Sequence, residues 1–311
     1  MPKKIIFSLL FCSLFMILTA CNAPTPTATP EPETAVSTET PLVIGDISDE
    51  VAETIEGTQP LADYLANKLE PYGITQGVVK IAPDLDTMIQ WMDNGEVDLY
   101  FDSPYPVLVV SQETGATPIL RRLKYGVDKY HSVFVVRQDS DINALDDVMG
   151  QIIAFEETFS TSGYMLPLAY LIEDGRNPVE VSSPDSEVND DEIGYVFSTA
   201  DDTTIQWIIS GRVPLGVIDN VTLGRLPEET QAELRVIAET KDVPRQLVLV
   251  NQALDDELVN ALQTELLAMN ENEAGQAALE TFLTTEFTEF PEGAEAALAY
   301  MNNLYNLVQE N

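Results

Sequence analysis

The segment "TMIQWMDNGEVDLYFDS", residues 87–103, returns as "TTIQWIISGRVPLGVIDN", residues 203–220. Ile-Gln-Trp, then Gly, Val and Leu, recur at one spacing, 116 residues on (Ile89 and Ile205, Gly95 and Gly211, Leu99 and Leu215). The chain's two tryptophans, Trp91 and Trp207, occupy matching positions. In each copy, apolar residues at helical spacing precede a Gly stop and an apolar run with strand character. Each run ends in an aspartate: Asp102 in the first and, shifted by one residue, Asp219 in the second. Ligands of open α/β sheets sit beyond the carboxyl ends of strands. Two facing copies would aim both aspartates into one cleft. Chance similarity between two amphipathic units is the competing reading.

Outward from this unit, strands alternate with helices. "LVIGDIS" reads as a buried strand turning polar at Asp46 and Ser48, "LADYLANKLE" as a helix and "VVKIAP" as a strand. "DSPYPVLVVSQETG" opens a helix, with Ser103 placed as N-cap, Pro104 at the first turn and Gly115 past the end. "SVFVVR", "QIIAFE", "RVIAET" and "QLVLVN" are strands, and "YMLPLAYLIEDG" is a helix stopped by Gly175. From Asp255 onward the pattern is helical. Alternation of this kind predicts mostly parallel α/β sheets, here in two similar halves.

The start of the chain is of another kind. Lys3 and Lys4 precede an apolar run over residues 5–18, followed by "LTAC" ending at Cys21. That is the pattern of a secretory signal, and Cys at the first mature position resembles a bacterial lipobox. Ordinary signal cleavage beside a chance Cys is the alternative. Cys12 leaves with the signal, so Cys21 is the sole mature cysteine and no disulfide can form within the chain. Residues 22–41, with five Pro and six Thr, form a tether. Extended at about 3.1 Å per residue, it would hold a folded domain roughly 50 Å from a lipid surface. The formal charge is −37, and −39 once the two signal lysines are gone. Such a balance argues against nucleic acid or an anionic bilayer as direct partner, and leaves a small anionic ligand possible where local donors permit.

Ser160, Thr161, Ser162 and Gly163 follow a strand that ends near Glu156 and open a helix. Free N–H groups at a helix start, with the positive dipole end and hydroxyls, can hold an anion without any cation. Plain capping needs only one hydroxyl and is the simpler alternative. Pro167 removes an interior helix bond, so an irregular start is expected.

The longer stretch "YHSVFVVRQDSDINALDDVMGQIIAFEETFSTSGYMLP", residues 130–167, closely resembles the phosphate/phosphite/phosphonate-binding proteins of ABC importers. The pattern is Tyr-x-Ser-Val before a strand, Asp-Ser, a Leu-x-Asp helix, then Gly and a strand leading to Ser-Thr-Ser-Gly-Tyr and Pro. "GEVDL" and "PRQLVLVNQALDDELVNAL" share it, and the resemblance spans nearly all of residues 42–300. It implies an α/β, two-lobed type 2 periplasmic-binding fold, each lobe a mixed sheet flanked by helices, joined by crossover strands. Residues 42–129 and 243–311 would form lobe 1, residues 130–242 lobe 2, with the C-terminal helices returning to lobe 1. It implies no catalysis and no cofactor. The ligand residues it implies are Asp102, Ser103, Ser160, Thr161, Ser162 and Asp219, and the expected site adds Tyr105, Tyr130 and Asp201. Three departures stand out: Asp102-Ser103-Pro104 where many relatives have aromatic-Gly or Gly-Pro, acids near residues 200–202 where some have His, and Gln151 where Lys is common.

Other constellations are thin. His131 is the single histidine, no nucleophile-elbow pattern surrounds Ser162, and no zinc or EF-hand spacing occurs. Arg121, Arg122, Lys124, Lys129 and Arg137 gather five of thirteen mature basic residues into 17 positions, either as a positive collar or as charge balance. The expectation is a monomeric, lipid-anchored solute-binding protein on the outer face of the cytoplasmic membrane or in the periplasm. It would deliver phosphonate, phosphite or phosphate to a permease with its ATPase. A sulfonate, an amino-bearing phosphonate, or a sensory role for the same fold are the alternatives.

Overall fold

The computed structural model describes residues 40–311; the expected signal, Cys21 and most of the tether lie outside the described residues. The tether's expected end at Pro41 is corrected, because the strand Thr40–Ile47 already includes Thr40 and Pro41. A proline is tolerated at a strand's first residues, and here only Thr40–Ile47's pairing with Ile74–Ala82 reaches that far.

Two six-stranded sheets carry the fold. The first runs, edge to edge, Thr284–Thr288, Thr117–Lys124, Gln246–Val250, Leu99–Asp102, Thr40–Ile47 and Ile74–Ala82. The second runs Leu234–Glu239, Ser132–Arg137, Leu215–Asp219, Ile152–Phe155, Ile193–Phe197 and Pro178–Glu180. In the first, Leu99–Asp102 lies between a parallel neighbour, Thr40–Ile47, and an antiparallel one, Gln246–Val250. In the second, Leu215–Asp219 lies between parallel Ile152–Phe155 and antiparallel Ser132–Arg137. Five strands of each sheet therefore correspond in order and direction. The repeated sequence unit is the same structural unit used twice, helix Leu85–Asp93 with its strand and helix Asp201–Ser210 with its strand. The central strands are buried on both faces, which is why Gln246–Val250 and Ile152–Phe155 read as continuous apolar runs.

The two tryptophans fill equivalent half-buried places, each under a cation: Lys80 Nζ is 4.0 Å from the Trp91 ring centre and the Arg212 guanidinium 5.0 Å from that of Trp207. Lysine and arginine stems cover apolar surface in this way while their charge stays wet.

The chain passes between the sheets at Lys129–Tyr130 and returns at Val243–Pro244, and these two short strands pair antiparallel. Two expectations about the C-terminal region change. A strand, Thr284–Thr288, interrupts the helical stretch, because Thr284 and Phe287 bury against the edge of Thr117–Lys124. The last helix, Ala294–Gln309, straddles both lobes instead of returning to the first alone. Its Leu298, Met301 and Leu304 share one apolar core with Val107 and Val110 of the first lobe and Leu166 and Ala169 of the second. Among the described residues no helix is long and apolar enough to cross a membrane.

Candidate functional site

The helix start at residues 160–163 is shaped by a missing donor. Thr161–Met165 is wound as a π-turn, with Met165 N–H donating to Ser160 O at 3.0 Å, before the α-helix Leu166–Glu173. Pro167 has no N–H for the carbonyls of Ser162 and Gly163. Both are taken from outside: Ser132 Oγ donates to Ser162 O at 2.7 Å and Glu156 N–H to Gly163 O at 3.0 Å. The irregular start expected from Pro167 is thus bolted to two strands of its own sheet. Gly163 is required by the same closeness, since a Cβ there would lie 2.3 Å from Glu156 Cβ.

Ser160 caps the turn, accepting from Gly163 N–H at 2.9 Å and donating to Glu156 Oε2 at 2.6 Å. The Thr161 side chain, expected to hold ligand, does not line the cavity. It is 1% exposed, donates to Ser103 Oγ at 2.9 Å and accepts from Tyr105 N–H at 2.9 Å, so it joins the lobes. Ser162 lines the cavity between the lobes. The amides of Thr161 and Ser162 have no partner among the described residues, which leaves two donors at the helix start, while the Ser162 hydroxyl is hydrogen-bonded to Tyr130.

The first-lobe loop answers it poorly. Ser103 was expected to cap Pro104–Thr114 and does not. A cap serves the second or third helical N–H; here the second is Tyr105, committed to Thr161, and the third is Pro106. Ser103 Oγ donates to Asp102 Oδ1 at 3.0 Å instead. Asp102 also accepts from Ser103 N–H at 2.6 Å and from the buried Tyr100 hydroxyl at 2.5 Å. The Tyr105 ring, also expected at the ligand, stands outside the cavity, against Tyr164 and Tyr305 with centroids 6.3 and 6.1 Å away. Burial and those two phenols push its pKa up to about 12. Tyr130 does line the cavity, between Ser103 and Ser162, with its pKa pushed up to about 12 chiefly by burial.

In the second unit Asp219 caps the helix Asn220–Arg225, its Oδ1 accepting from Val221 and Thr222 N–H at 2.7 and 2.9 Å. The Thr222 hydroxyl lies 2.9 Å from Asp219 Oδ2 and 3.1 Å from Asp201 Oδ2. One hydroxyl hydrogen serves one of them. A proton on Asp201 completes the set, Asp201 donating to Thr222 and Thr222 to Asp219. Burial, then Glu156 and Asp219, hold the Asp201 pKa well above the usual carboxylate range, as this requires.

The cavity measures about 360 Å3 and unites Asp102, Ser103, Tyr130, Ser160, Ser162, Asp201 and Asp219 from the sequence reading. It adds residues that reading missed: Asp46, Glu156, Glu157, Thr222, and the cations Arg122, Lys124 and Arg245. The first-lobe wall holds those three cations and the carboxyls Asp46 and Asp102. The second-lobe wall holds four carboxyls and no cation. Burial, then Asp102, raises the Asp46 pKa to about 6; burial, then Glu156, raises that of Glu157 to about 7. Burial also raises the Glu156 pKa, against the Ser160 hydrogen bond. Within "RRLK", strand alternation sends Arg122 and Lys124 to the cavity face and Arg121 away, where it pairs with Asp128. That period of two was the available signal. The collar divides accordingly, since Arg137 pairs with Asp139 at the surface. His131 lies beside the crossing strands with Nδ1 2.8 Å from Asp242 and does not line the cavity; exposed Gln151 does not either.

Comparison with known proteins places this cavity in context. Residues 44–293 match the family described as ABC transporter, phosphonate, periplasmic substrate-binding protein. The phosphate-import protein PhnD of Mycolicibacterium smegmatis is 28% identical over 193 residues, 59% of this chain and 58% of that protein. XAC2383 of Xanthomonas citri, solved with chloride, superposes with TM-score 0.82 at 26% identity, covering 86% of this chain and 98% of that one. It has also been solved with ATP. PhnD1 of Prochlorococcus marinus, in complex with methylphosphonate, shares the fold with TM-score 0.67 at 15% identity, covering 87% and 98%.

Proposed function

This chain belongs to the periplasmic substrate-binding protein family of phosphonate ABC transporters, and from that premise we propose that it captures a phosphonate, phosphite or phosphate in the cleft between its lobes. It is a solute-binding protein, not an enzyme. The observation that carries the reading is the helix start at residues 160–163. There the Thr161 and Ser162 amides are unspent, at the positive end of a helix, and the Ser162 hydroxyl, hydrogen-bonded to Tyr130, faces the same cavity. The lobes pivot at the paired crossing strands, residues 129–130 and 243–244. Delivery to a permease with its ATPase, and anchoring through lipid on Cys21, complete the proposal; the anchor rests on "LTAC" and the Pro/Thr-rich tether.

Within this reading, the four carboxyls of the second-lobe wall favour an oxyanion that also carries an amine or keeps a proton. A bare dianion facing Glu156, Asp201 and Asp219 is repelled wherever they are ionised.

The test is a thermal-shift screen of full-length protein with phosphate, phosphite, methylphosphonate, 2-aminoethylphosphonate and sulfate, followed by calorimetry on the hits. At least one phosphorus oxyanion is expected to bind with micromolar affinity, near −8 kcal/mol. Ser162→Ala is expected to weaken it by about tenfold, the loss of one hydrogen bond to a charged group. Binding of sulfate alone, or full affinity in Ser162→Ala, would sink the assignment.

A further inference from the structure

Arg122, Lys124 and Arg245 line the cavity from one side, and among the described residues none of them forms an ion pair, although six carboxyls share the space. Arg122 is 4% exposed and bonds only neutral acceptors: Thr284 Oγ1 at 2.8 Å, Gln246 Oε1 at 2.7 Å and the Phe282 carbonyl. Its guanidinium lies 3.5 Å from the Phe282 ring centre, which fixes its plane. Arg245 stacks 4.4 Å from the Tyr130 ring centre, and its buried Nε has no partner among the described residues. The Lys124 ammonium makes no hydrogen bond among the described residues. Burial pushes its pKa down to about 8, followed by Arg122 and Arg245, whose influence exceeds that of Asp46 and Asp102. Three like charges are thus held together by neutral groups and aromatic faces, with Asp46 and Asp102 near enough to act on them but paired with none of them among the described residues. Such a cluster is costly empty and is relieved by an anion.

A second observation concerns size. The cavity, at about 360 Å3, has room for about a dozen waters at ~30 Å3 each. A tetrahedral oxyanion, with its central atom and four ligand atoms, fills a minor part of that.

We infer that Arg122, Lys124 and Arg245 form a second anion subsite, so that the ligand carries two acidic groups. One sits at the helix start of residues 160–162, the other on the three cations. The chemical class is a phosphonate or phosphate ester bearing a carboxylate or a second phosphorus acid, with a short backbone between them. The guanidinium of Arg245 offers its fork to a planar or tetrahedral acid, and Lys124 adds a point charge. This rests on the cleft being an oxyanion site, as proposed above.

The experiment compares methylphosphonate, with one acidic head, and phosphonoacetate, with two, by calorimetry on the full-length protein at neutral pH. Phosphonoacetate is expected to bind at least about tenfold tighter, the effect of one charge-assisted contact. Lys124→Gln and Arg245→Gln, each on its own, should cut that preference to about threefold or less. Because the readout is a ratio of two ligands on one protein, partial misfolding of a variant does not mimic it. Equal affinities in the wild type, or an undiminished ratio in both variants, overturns the subsite. Methylphosphonate binding with no gain from the second acid removes this inference and leaves the proposed function standing. Binding of neither ligand, nor of any other phosphorus oxyanion, removes both.

Discussion

The two lobes are one scaffold with two endings. Strand Leu99–Asp102 and strand Leu215–Asp219 sit at corresponding places in corresponding sheets, and each delivers a carboxylate to the cleft. After Asp219 the chain offers Val221 and Thr222 N–H, and the carboxylate is consumed as a cap. After Asp102 it offers Pro104 and Pro106, which have no N–H, and Tyr105, already bound across the cleft. Asp102 turns to the Tyr100 hydroxyl and to Ser103. Charge divides the same way, with three cations on the first wall and none on the second. A duplicated strand end is thus a neutral platform, and the two or three residues that follow decide whether its acid is structural or faces the ligand.

The largest expected effect tests the cap. Asp219→Ala leaves two amides and the Thr222 hydroxyl without their acceptor in a site 4% exposed. Urea unfolding should show a loss of about 2 kcal/mol. Asp102→Asn keeps the shape and the Oδ1 acceptor of Ser103 but puts an amide donor where Oδ2 accepts from the Tyr100 hydroxyl, and should cost about 1 kcal/mol. Equal losses would erase the distinction between the two ends.

The next effect is on affinity. Asp102→Asn removes a negative charge from the first wall without disturbing its cations. Methylphosphonate should bind about three- to tenfold tighter, and an amine-bearing phosphonate should gain less. Parallel gains for both ligands would assign Asp102 a structural role.

The pH dependence of the free protein separates the walls further. Asp46 on the first wall and Glu157 on the second ionise near 6 and 7 in the fold, against ordinary values of 3.8 and 4.5. The folded state therefore holds more protons than the unfolded state between roughly pH 4 and 7. Stability from these groups is fully present below the unfolded values and is lost as pH rises through the folded ones. The melting temperature should rise by ~2 °C or more between pH 8 and 5. Glu157→Gln should flatten the upper part of that curve and Asp46→Asn the lower part. A curve that falls toward acid over this range contradicts both assignments.

The smallest effect addresses what the repeat preserves. Lys80→Ala uncovers Trp91 and Arg212→Ala uncovers Trp207. Each should cost no more than ~1 kcal/mol, with the larger loss at Lys80, whose charge lies closer to the ring. Calorimetric melting of the two variants settles the order.

Much of this was legible from the chain alone, for physical reasons. Period and punctuation gave the strands and helices, because burial on both faces forces continuous apolar runs and because Gly115 and Gly175 take positive φ values of 73° and 77° just past helix ends. The recurrence of Ile-Gln-Trp and Gly gave the duplication. The site was legible only where a residue type announces itself, as in Ser160, Ser162 and the two strand-end aspartates. Arg122 and Lys124 were hidden in a run of like charge, since composition shows a collar while only the alternation of a strand shows which members face inward. Thr161 and Tyr105 fell outside because adjacency in a motif does not fix direction: the π-turn rotates Thr161 toward Ser103, and the helix carries the Tyr105 ring to Tyr164 and Tyr305. The strand Thr284–Thr288 was obscured by the helices on either side of it, and its two buried residues, Thr284 and Phe287, stand three apart across a register shift, which breaks the period of two.

Pro167 is best understood as an absent competitor. An ordinary residue at that place would bring an N–H into a crowded turn, and the nearest carbonyls, those of Ser162 and Gly163, are the ones already claimed by Ser132 Oγ and Glu156 N–H. The newcomer would bid for the same lone pairs and could win only by regularising the turn into α-helix. Ser132, which opens the strand after the crossing, and Glu156, the neighbour that orients Ser160, would then be released together. A single restored donor, far smaller than any side chain in the cleft, would thus reach both the pivot and the cap of the helix start.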